Sequence, residues 1–373
     1  MSVARIVLRE IRLPLREPFR ISSGVVSERR IALLQLFDAD GRSAWSECVA
    51  GEFPNYSAET IDTAWHAITH WLGPRVVGME LGHAHVHAAL DTDVRGHRMA
   101  KAAVEMGCWA LAAERAGIAL ARLLGGRQER VPVGISLGIQ TSPAELVKRA
   151  EAAIRAGYRK VKLKIAPGTD IAFVAAVRAA LGPAAPLMVD ANNAYDLRDA
   201  PRLKELDAFD LAMIEQPLET EDLVRHAALQ RMLRTPLCLD ESITSRRRAE
   251  DMIQLGSGRI INIKPGRVGG FAESIAIHDV CLQNGVPVWC GGMLESGVGR
   301  AHNVALASLP NFTMPGDLSP SARYWERDIV TPEWTMDAEG MVRVPFDRPG
   351  LGVSVDRERV EDLTVRETVI GPG

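Results

Sequence analysis

The sequence is poor in cysteine, and the cysteines it has show no pairing pattern. Only five of the 373 residues are cysteine, and no two of them form a C-x-x-C motif. Small secreted frameworks use an even number of cysteines, whereas scattered cysteines are typical of reduced, buried thiols. The composition argues against a disulfide framework and predicts a cytoplasmic protein. The cysteines are Cys48, Cys108, Cys238, Cys281 and Cys290.

Long apolar runs and blocks of like charge are also missing. No stretch of about 18 uncharged apolar residues occurs, so no transmembrane helix is expected. The N-terminal segment alternates apolar and polar residues and lacks the apolar region of a secretion signal. The formal net charge is −3, without a basic stripe. Nucleic acid and membranes are therefore not expected as partners, and a small-molecule substrate is.

Residues 1–130 have the pattern of strands followed by helices. Ala4 to Leu15 and Arg30 to Asp38 alternate as half-buried strands, and a hairpin signal follows the second. Met99 to Ala116 is rich in strong helix formers. This order predicts an α+β module.

From Val131 onward, short apolar strands alternate with helical stretches. Apolar runs of this kind, separated by amphipathic helices, are typical of a parallel sheet covered on both faces. Seven or eight such units predict an α/β barrel. The strand candidates are Val133–Ile139, Lys160–Ile165, Leu187–Asp190, Ala212–Glu215, Leu237–Asp240, Ile260–Lys264 and Val286–Cys290.

Five consecutive strand candidates end in a charged residue at nearly constant spacing. The successive steps between these residues are 26, 25, 25 and 24 residues, which is one strand, one helix and two loops each. Because the carboxyl ends of barrel strands meet at one mouth, the spacing predicts that all five side chains converge there. They are Lys164, Asp190, Glu215, Asp240 and Lys264.

The three carboxylates predict a metal site. Asp190, Glu215 and Asp240 would repel one another, and a divalent cation would offset that repulsion. Oxygen ligands without His or Cys favour Mg²⁺, with Mn²⁺ as a substitute. Asn192 and Glu241 lie beside these ligands in sequence and are predicted to support them.

The two lysines flank the carboxylate strands, which suggests acid–base chemistry on both sides of a substrate. Near a cation, Lys164 or Lys264 would lose affinity for its proton and could act as a base. Lys162 points to the same side of its strand as Lys164 and is expected to lower the pKa of Lys164 further. The metal would stabilise the enediolate that proton removal creates next to a carboxylate.

Long motifs make the chain resemble the muconate-lactonising subgroup of the enolase superfamily, within it the N-acylamino acid racemase / o-succinylbenzoate synthase family. These motifs extend over nearly the whole chain. They are GHRMAKAAVEM (96–106), KLKIAPG (162–168), VDANNAY (189–195), IEQPL (214–218), LDESI (239–243), NIKPGRVGG (262–270), VWCGGMLESGVGRAHNVALASLPNF (288–312) and PGDLSPS (315–321).

The resemblance implies an architecture and roles for the strand-end residues. It implies a (β/α)₇β barrel over residues 131–334 beneath an α+β capping domain, residues 1–130, completed by residues 335–373. It implies Mg²⁺ on the three carboxylates and acid–base roles for Lys164 and Lys264. Arg267 is the feature that accompanies racemase capability in this family. A homo-oligomer is also implied.

Substrate contacts are predicted on both sides of the barrel mouth. Ser22-Ser23-Gly24 and Gly51 to Tyr56 are predicted lid segments, because lids exclude water from such reactions. The predicted contacts are Phe19 and Tyr56 from the first module, and Ser136, Met293, Glu295 and Ser296 beyond the barrel strands.

Two reactions need the same metal and both lysines, and Arg267 favours a chain capable of both. One is o-succinylbenzoate synthesis, the dehydration of 2-succinyl-6-hydroxy-2,4-cyclohexadiene-1-carboxylate in menaquinone biosynthesis. The other is racemisation of N-acylamino acids, including N-succinylamino acids. Muconate-type cycloisomerisation is an alternative on the same residues. A Schiff-base aldolase using Lys264 and a barrel without catalysis are alternatives of other classes.

Overall fold

The computed structural model of the chain describes residues 2–21, 24–80 and 82–372. Its strands are β1 (Val3–Ile21), β2 (Gly24–Asp38), β3 (Ser43–Cys48), β4 (Arg130–Pro132), β5 (Gly134–Leu137), β6 (Lys160–Lys164), β7 (Leu187–Asp190), β8 (Ile214–Glu215), β9 (Leu237–Leu239), β10 (Ile260–Ile263), β11 (Val288–Cys290), β12 (Val330–Thr331), β13 (Met341–Arg343), β14 (Ser354–Val355) and β15 (Thr364–Ile370).

The helices of the described chain connect and cover these strands. The α-helices are α1 (Ile61–Ala67), α2 (Gly73–Val76), α3 (Val86–Asp91), α4 (Arg98–Ala116), α5 (Leu120–Leu123), α6 (Pro143–Arg155), α7 (Ile171–Leu181), α8 (Ala200–Glu205), α9 (Leu223–Met232), α10 (Arg246–Leu255), α11 (Pro265–Val268), α12 (Phe271–Gln283), α13 (Gly297–Ala307) and α14 (Arg357–Leu363). A π-helical turn, Ile68–Leu72, joins α1 to α2, and 3-10 turns occupy His83–His85, Leu197–Asp199, Leu206–Phe209 and Ser321–Arg323. In the parts of the chain that the structure describes, no helix combines the length and apolar character needed to cross a membrane.

An antiparallel sheet of four strands forms the first module, in the order β15-β1-β2-β3. The alternation seen in the sequence buries one face of this sheet against α4. Gly107 in α4 allows the close approach, since a Cβ there would lie 2.5 Å from Leu36 Cδ1 and 2.9 Å from Ser46 Oγ. Strand β15 comes from the C-terminus, so the end of the chain returns to complete this sheet.

A parallel sheet of seven strands, β5 to β11 in sequence order, forms the second module. Its two edges are joined by the segment 311–317. Gly134 N donates to Gly316 O at 2.7 Å on the β5 side, and Asp317 N donates to Cys290 O at 2.9 Å on the β11 side. The predicted α/β barrel with an N-terminal α+β module is thereby confirmed. The strand Leu187–Asp190 has the predicted bounds, whereas the other predicted strands are shorter than expected; only Ile214–Glu215 of the predicted 212–215 segment pairs.

Two buried carboxylates of the first module accept hydrogen bonds from the N-termini of barrel helices. Glu105 on α4 accepts from Phe271 N at 2.8 Å and Ala272 N at 3.0 Å, where α12 begins. Glu47 on β3 accepts from Ser296 Oγ at 2.6 Å, where α13 begins. Burial raises the pKa of Glu105 to about 7 and that of Glu47 to about 8. These contacts join the two modules because they satisfy free N–H groups and favour negative charge at helix N-termini.

Replacement of Glu105 tests this joint. Glu105→Ala should lower the free energy of unfolding by about 3 kcal/mol, because it leaves two backbone donors and Trp109 Nε1 buried without an acceptor. The measurement is urea denaturation followed by tryptophan fluorescence. Glu205→Ala, at the exposed end of α8, is the matched control and should leave the transition unchanged. Equal transitions for the two variants would contradict the assigned role of Glu105.

Candidate active site

The barrel mouth brings together the five charged residues that the spacing singled out. Lys164, Asp190 and Glu215 are the last residues of β6, β7 and β8, and Asp240 and Lys264 directly follow β9 and β10. All five are buried, with Lys164 the most exposed at 9%. Because the parallel strands end at one edge, the three carboxylates lie in strand order with one lysine on each side of them.

Lys164 is held by the first carboxylate strand. Its Nζ lies 2.6 Å from Asp190 Oδ2 and 2.7 Å from Asn192 Oδ1. Lys162, two residues earlier on β6, points the same way, and its Nζ lies 3.3 Å from Asp190 Oδ2 and 3.1 Å from Glu215 Oε2. Both amines thus share the Asp190 carboxylate, as expected from the period of two in a strand.

Lys264 has different neighbours. Its Nζ lies 2.7 Å from Asp240 Oδ2 and 3.3 Å from the Tyr56 hydroxyl. Tyr56 donates to Asp240 Oδ1 at 2.9 Å, and Arg267 Nη1 pairs with the same oxygen. Arg267 is fixed in turn by a hydrogen bond from its Nε to Ile243 O at 2.7 Å. The predicted neighbours Lys264 and Arg267 therefore meet on one carboxylate.

The buried carboxylates raise the pKa values of two of these lysines, Lys162 and Lys264. Burial lowers the pKa of Lys264, but Asp240 and other nearby acidic groups outweigh burial and raise it. For Lys162 the same competition raises the pKa well above its usual value, through Asp317, Glu215 and Asp190. The carboxylates therefore favour ammonium forms. A cation bound to them would weaken that preference.

The three carboxylates fit a hard divalent cation in their chemistry. They offer only oxygen donors, from adjacent strands. Burial and the charge of Asp190 raise the pKa of Glu215 well above its usual value, a cost that a cation would offset. Within the described ranges, no three His, Cys, Asp or Glu side chains lie close enough to hold one ion. Binding of one ion by all three carboxylates would therefore require these side chains to move closer together.

Glu241 and the asparagines after β7 form a second set of polar contacts beside this cluster. Glu241 Oε1 accepts from Asn192 Nδ2 at 3.3 Å and from Asn193 Nδ2 at 3.2 Å. Glu241 Oε2 is buried and has no hydrogen-bond partner among the residues that the structure describes. The structure thus brings Asn192 and Glu241 together next to the predicted ligands.

A cavity of about 690 Å³ lies over the cluster, between the two modules. Lys164, Lys264 and Asn192 line it from the barrel, and part of the predicted lid, including Gly51 and Tyr56, lines it from above. Such a volume suits a small-molecule ligand. The other predicted lid falls partly on Ser22 and Ser23, which lie outside the described residues.

The predicted substrate contacts divide into two groups. Phe19, Tyr56 and Met293 line the cavity. Ser136, Glu295 and Ser296 are buried and are not among the described residues that line it. Glu295 accepts from Asn303 Nδ2 at 2.7 Å, and Ser296 Oγ donates to Glu47. Ser136 lies beside Lys162 in the register of β5 and β6. Substrate contact for these three stays a prediction.

Two buried residues of the cluster escaped the sequence interpretation. Asn262 Nδ2 donates to Glu215 Oε1 at 2.7 Å. It precedes Lys264 by two residues, so the argument that placed Lys162 beside Lys164 could have found it. Asp317 Oδ2 lies 2.6 Å from Lys162 Nζ, and its Oδ1 lies 3.6 Å from Lys160 Nζ. Asp317 belongs to the closing segment 311–317, whose sequence shows no strand pattern that would predict its position in the barrel.

Comparisons with known proteins match both modules. Residues 3–125 match the mandelate racemase / muconate lactonizing enzyme N-terminal domain, and residues 145–360 match the enolase C-terminal domain-like family. The chain is 48% identical over 364 residues to o-succinylbenzoate synthase of Geobacillus stearothermophilus, covering 98% of this chain and 96% of the relative. It is 45% identical over 371 residues to N-succinylamino acid racemase of Amycolatopsis sp, covering 100% of each. A solved enolase-superfamily structure from Listeria innocua has a TM-score of 0.95 at 40% identity and 99% coverage of each chain.

The Asp317 carboxylate compensates the charge of two buried lysines, so its removal should destabilise the fold. Asp317→Ala should lower the free energy of unfolding by about 3–5 kcal/mol, because it leaves Lys162 and Lys160 with less compensation for their buried charge. Urea denaturation at neutral pH measures the change. Asp347→Ala removes an exposed ion pair with Arg343 and should have no measurable effect. If Asp317→Ala were as stable as that control, the carboxylates of Asp190 and Glu215 would suffice for Lys162.

Proposed function

Because the chain belongs to the enolase superfamily, with the N- and C-terminal domains of its mandelate racemase / muconate lactonizing enzymes, we propose that it removes the proton next to a carboxylate of a small-molecule substrate. The reaction is o-succinylbenzoate synthesis, N-succinylamino acid racemisation, or both, as in the relatives of 48% and 45% identity. The observation that carries this proposal is the pair of buried lysines, Lys164 and Lys264, on either side of three carboxylates at one cavity.

The chain's own residues have distinct tasks in this reaction. The substrate's reacting carbon lies in the cavity between Lys164 and Lys264. One lysine, as the free amine, accepts the α-proton on its Nζ. In racemisation the other lysine, as the ammonium, returns a proton to the opposite face. In the synthase reaction Lys164 accepts the α-proton and gives it to the substrate hydroxyl, which leaves as water, while Lys264 supplies positive charge. The first module over the cavity limits access of bulk water.

Arg267 supports the racemase branch of the proposal. It shares Asp240 with Lys264, so it competes for the carboxylate that holds the lysine proton. A second cation on Asp240 weakens the hold of that carboxylate on the Lys264 proton. Racemisation requires Lys264 to release its proton to the substrate, whereas synthesis does not.

We propose Mg²⁺ as the cofactor, with Asp190, Glu215 and Asp240 as its ligands and Asn262 as support for Glu215. Enzymes of this superfamily generally use a divalent metal. When bound, the ion would supply positive charge that stabilises the deprotonated substrate carboxylate.

We also propose a cytoplasmic location and a homo-oligomeric state. The five cysteines are buried, unpaired thiols, which suits a reducing compartment. Size-exclusion chromatography with light scattering measures the oligomeric state directly, and a monomer would contradict this part of the proposal.

Single-lysine variants test the two-base arrangement. Lys264→Ala should abolish racemisation of an N-succinylamino acid but keep α-proton exchange of one enantiomer through Lys164, and Lys164→Ala should show the mirror result. Proton NMR in D₂O measures α-proton loss, and chiral chromatography measures racemisation. Lys148→Ala, exposed on α6, is the control and should retain both. Exchange of the α-proton of both enantiomers by Lys264→Ala would contradict the assignment of one lysine to each enantiomer.

Ligand variants test the metal site separately. Asp240→Ala and Glu215→Gln should each bind Mg²⁺ at least about tenfold more weakly, because each removes one charged oxygen ligand. Isothermal titration calorimetry with MgCl₂ measures the affinity without substrate. Asp251→Ala, exposed on α10, should bind as the wild type does. Unchanged affinity in both ligand variants would place the metal elsewhere.

A further inference from the structure

A second cavity adjoins the active-site cavity at the barrel mouth. It has a volume of about 180 Å³ and is lined by Glu17, Phe19, Gln140, Arg149, Arg323 and Tyr324, among others. Phe19 also lines the active-site cavity, so the two spaces lie next to each other at its ring. The side cavity is about ten times larger than one water molecule needs, which leaves room for a charged group with its solvation.

The side cavity lies on the part of the mouth that the five-residue cluster does not use. Gln140 belongs to the loop after β5, the first barrel strand. Arg323 follows the closing segment 311–317, which completes the barrel next to β5. Phe19 therefore lines both cavities, whereas Arg323 lines the side cavity and not the active-site cavity.

The two arginines of the side cavity have different partners. Arg149 is paired, with its Nη1 3.0 Å from Glu17 and its Nε 3.0 Å from Glu145. Arg323 contacts the Tyr324 ring at 5.6 Å, and within the described chain its guanidinium makes no ion pair. Its Nε is buried without a hydrogen-bond partner among those residues. A buried guanidinium nitrogen without an acceptor is costly, and a carboxylate is the acceptor whose planar shape suits it.

We propose that the side cavity holds the distal carboxylate of the substrate's acyl arm, with Arg323 as its ligand. The inference rests on the proposed function, since the reaction names of both relatives specify a succinyl group. That group ends in a second carboxylate, separate from the one beside the reacting carbon. Arg323 is thus a specificity residue for dicarboxylic substrates, and Glu17 opposes binding because its negative charge lines the same cavity.

The test compares two substrates that differ only in this group. An N-succinylamino acid carries the distal carboxylate, whereas the N-succinamoyl derivative of the same amino acid carries a neutral amide of equal size. Arg323→Met should raise KM for the first about 10- to 100-fold, the effect of losing a charge-assisted hydrogen bond, and leave KM for the second and both kcat values nearly unchanged. Arg323→Lys should recover part of the difference. Glu17→Gln should lower KM for the succinyl substrate alone.

Arg327→Met is the matched control, because Arg327 is exposed, pairs with Asp356 at 2.6 Å and lies outside both cavities. It should alter neither KM. Equal changes for the two substrates in Arg323→Met, or no change for either, would overturn the subsite. Failure of the wild type to turn over either substrate would overturn the racemase branch of the proposed function instead. Calorimetric affinities of both compounds for wild type and Arg323→Met would then still decide whether Arg323 recognises the carboxylate.

Discussion

The compensation of buried charge at the barrel mouth is the constraint on which the rest of the structure depends. Among the described residues, the cluster that runs from this mouth to Lys160 at the start of β6 holds five cationic and five anionic buried side chains, and their formal charges cancel. An isolated ion in such an environment would cost several kcal/mol, so each group requires a neighbour of opposite charge. They are Lys160, Lys162, Lys164, Lys264 and Arg267 with Asp190, Glu215, Asp240, Glu241 and Asp317. The strand register supplies many of these neighbours, while Asp317 comes from the closing segment and Arg267 from α11.

The capping module depends on the same principle at its joint with the barrel. Among the described residues, Glu105 and Glu47 have no basic side chain in direct contact, and backbone N–H groups at the starts of α12 and α13 compensate them instead. This joint fixes the sheet above the barrel, and Tyr56 then reaches down to Asp240. The cavity therefore depends on the compensation of buried charge in two places, at the ends of the barrel strands and at the starts of α12 and α13. Weakening the joint would open the cavity even with every catalytic residue intact.

The sequence predicted the site residues that recur at a regular spacing along the chain. The step of about 25 residues located Lys164, Asp190, Glu215, Asp240 and Lys264, since each βα unit repeats the same geometry. It could not locate Asp317, because the segment that carries it is too short to show strand alternation. It also could not separate Met293, which lines the cavity, from Glu295, which turns into the protein. The direction of a loop side chain depends on contacts made far along the chain.

The unequal surroundings of the two lysines bear on which reaction the site favours. Lys164 shares Asp190 with Lys162, so two amines divide one carboxylate, and an amide oxygen of Asn192 completes the contacts. Lys264 shares Asp240 with the guanidinium of Arg267 and the hydroxyl of Tyr56. The guanidinium keeps its charge, whereas the Tyr56 hydroxyl can donate a hydrogen bond. Arg267 thus keeps Asp240 compensated whether or not Lys264 holds its proton. The neighbours of Lys264 favour its ammonium form in this structure, and Arg267 is the neighbour whose charge stays on Asp240 when that lysine gives up its proton.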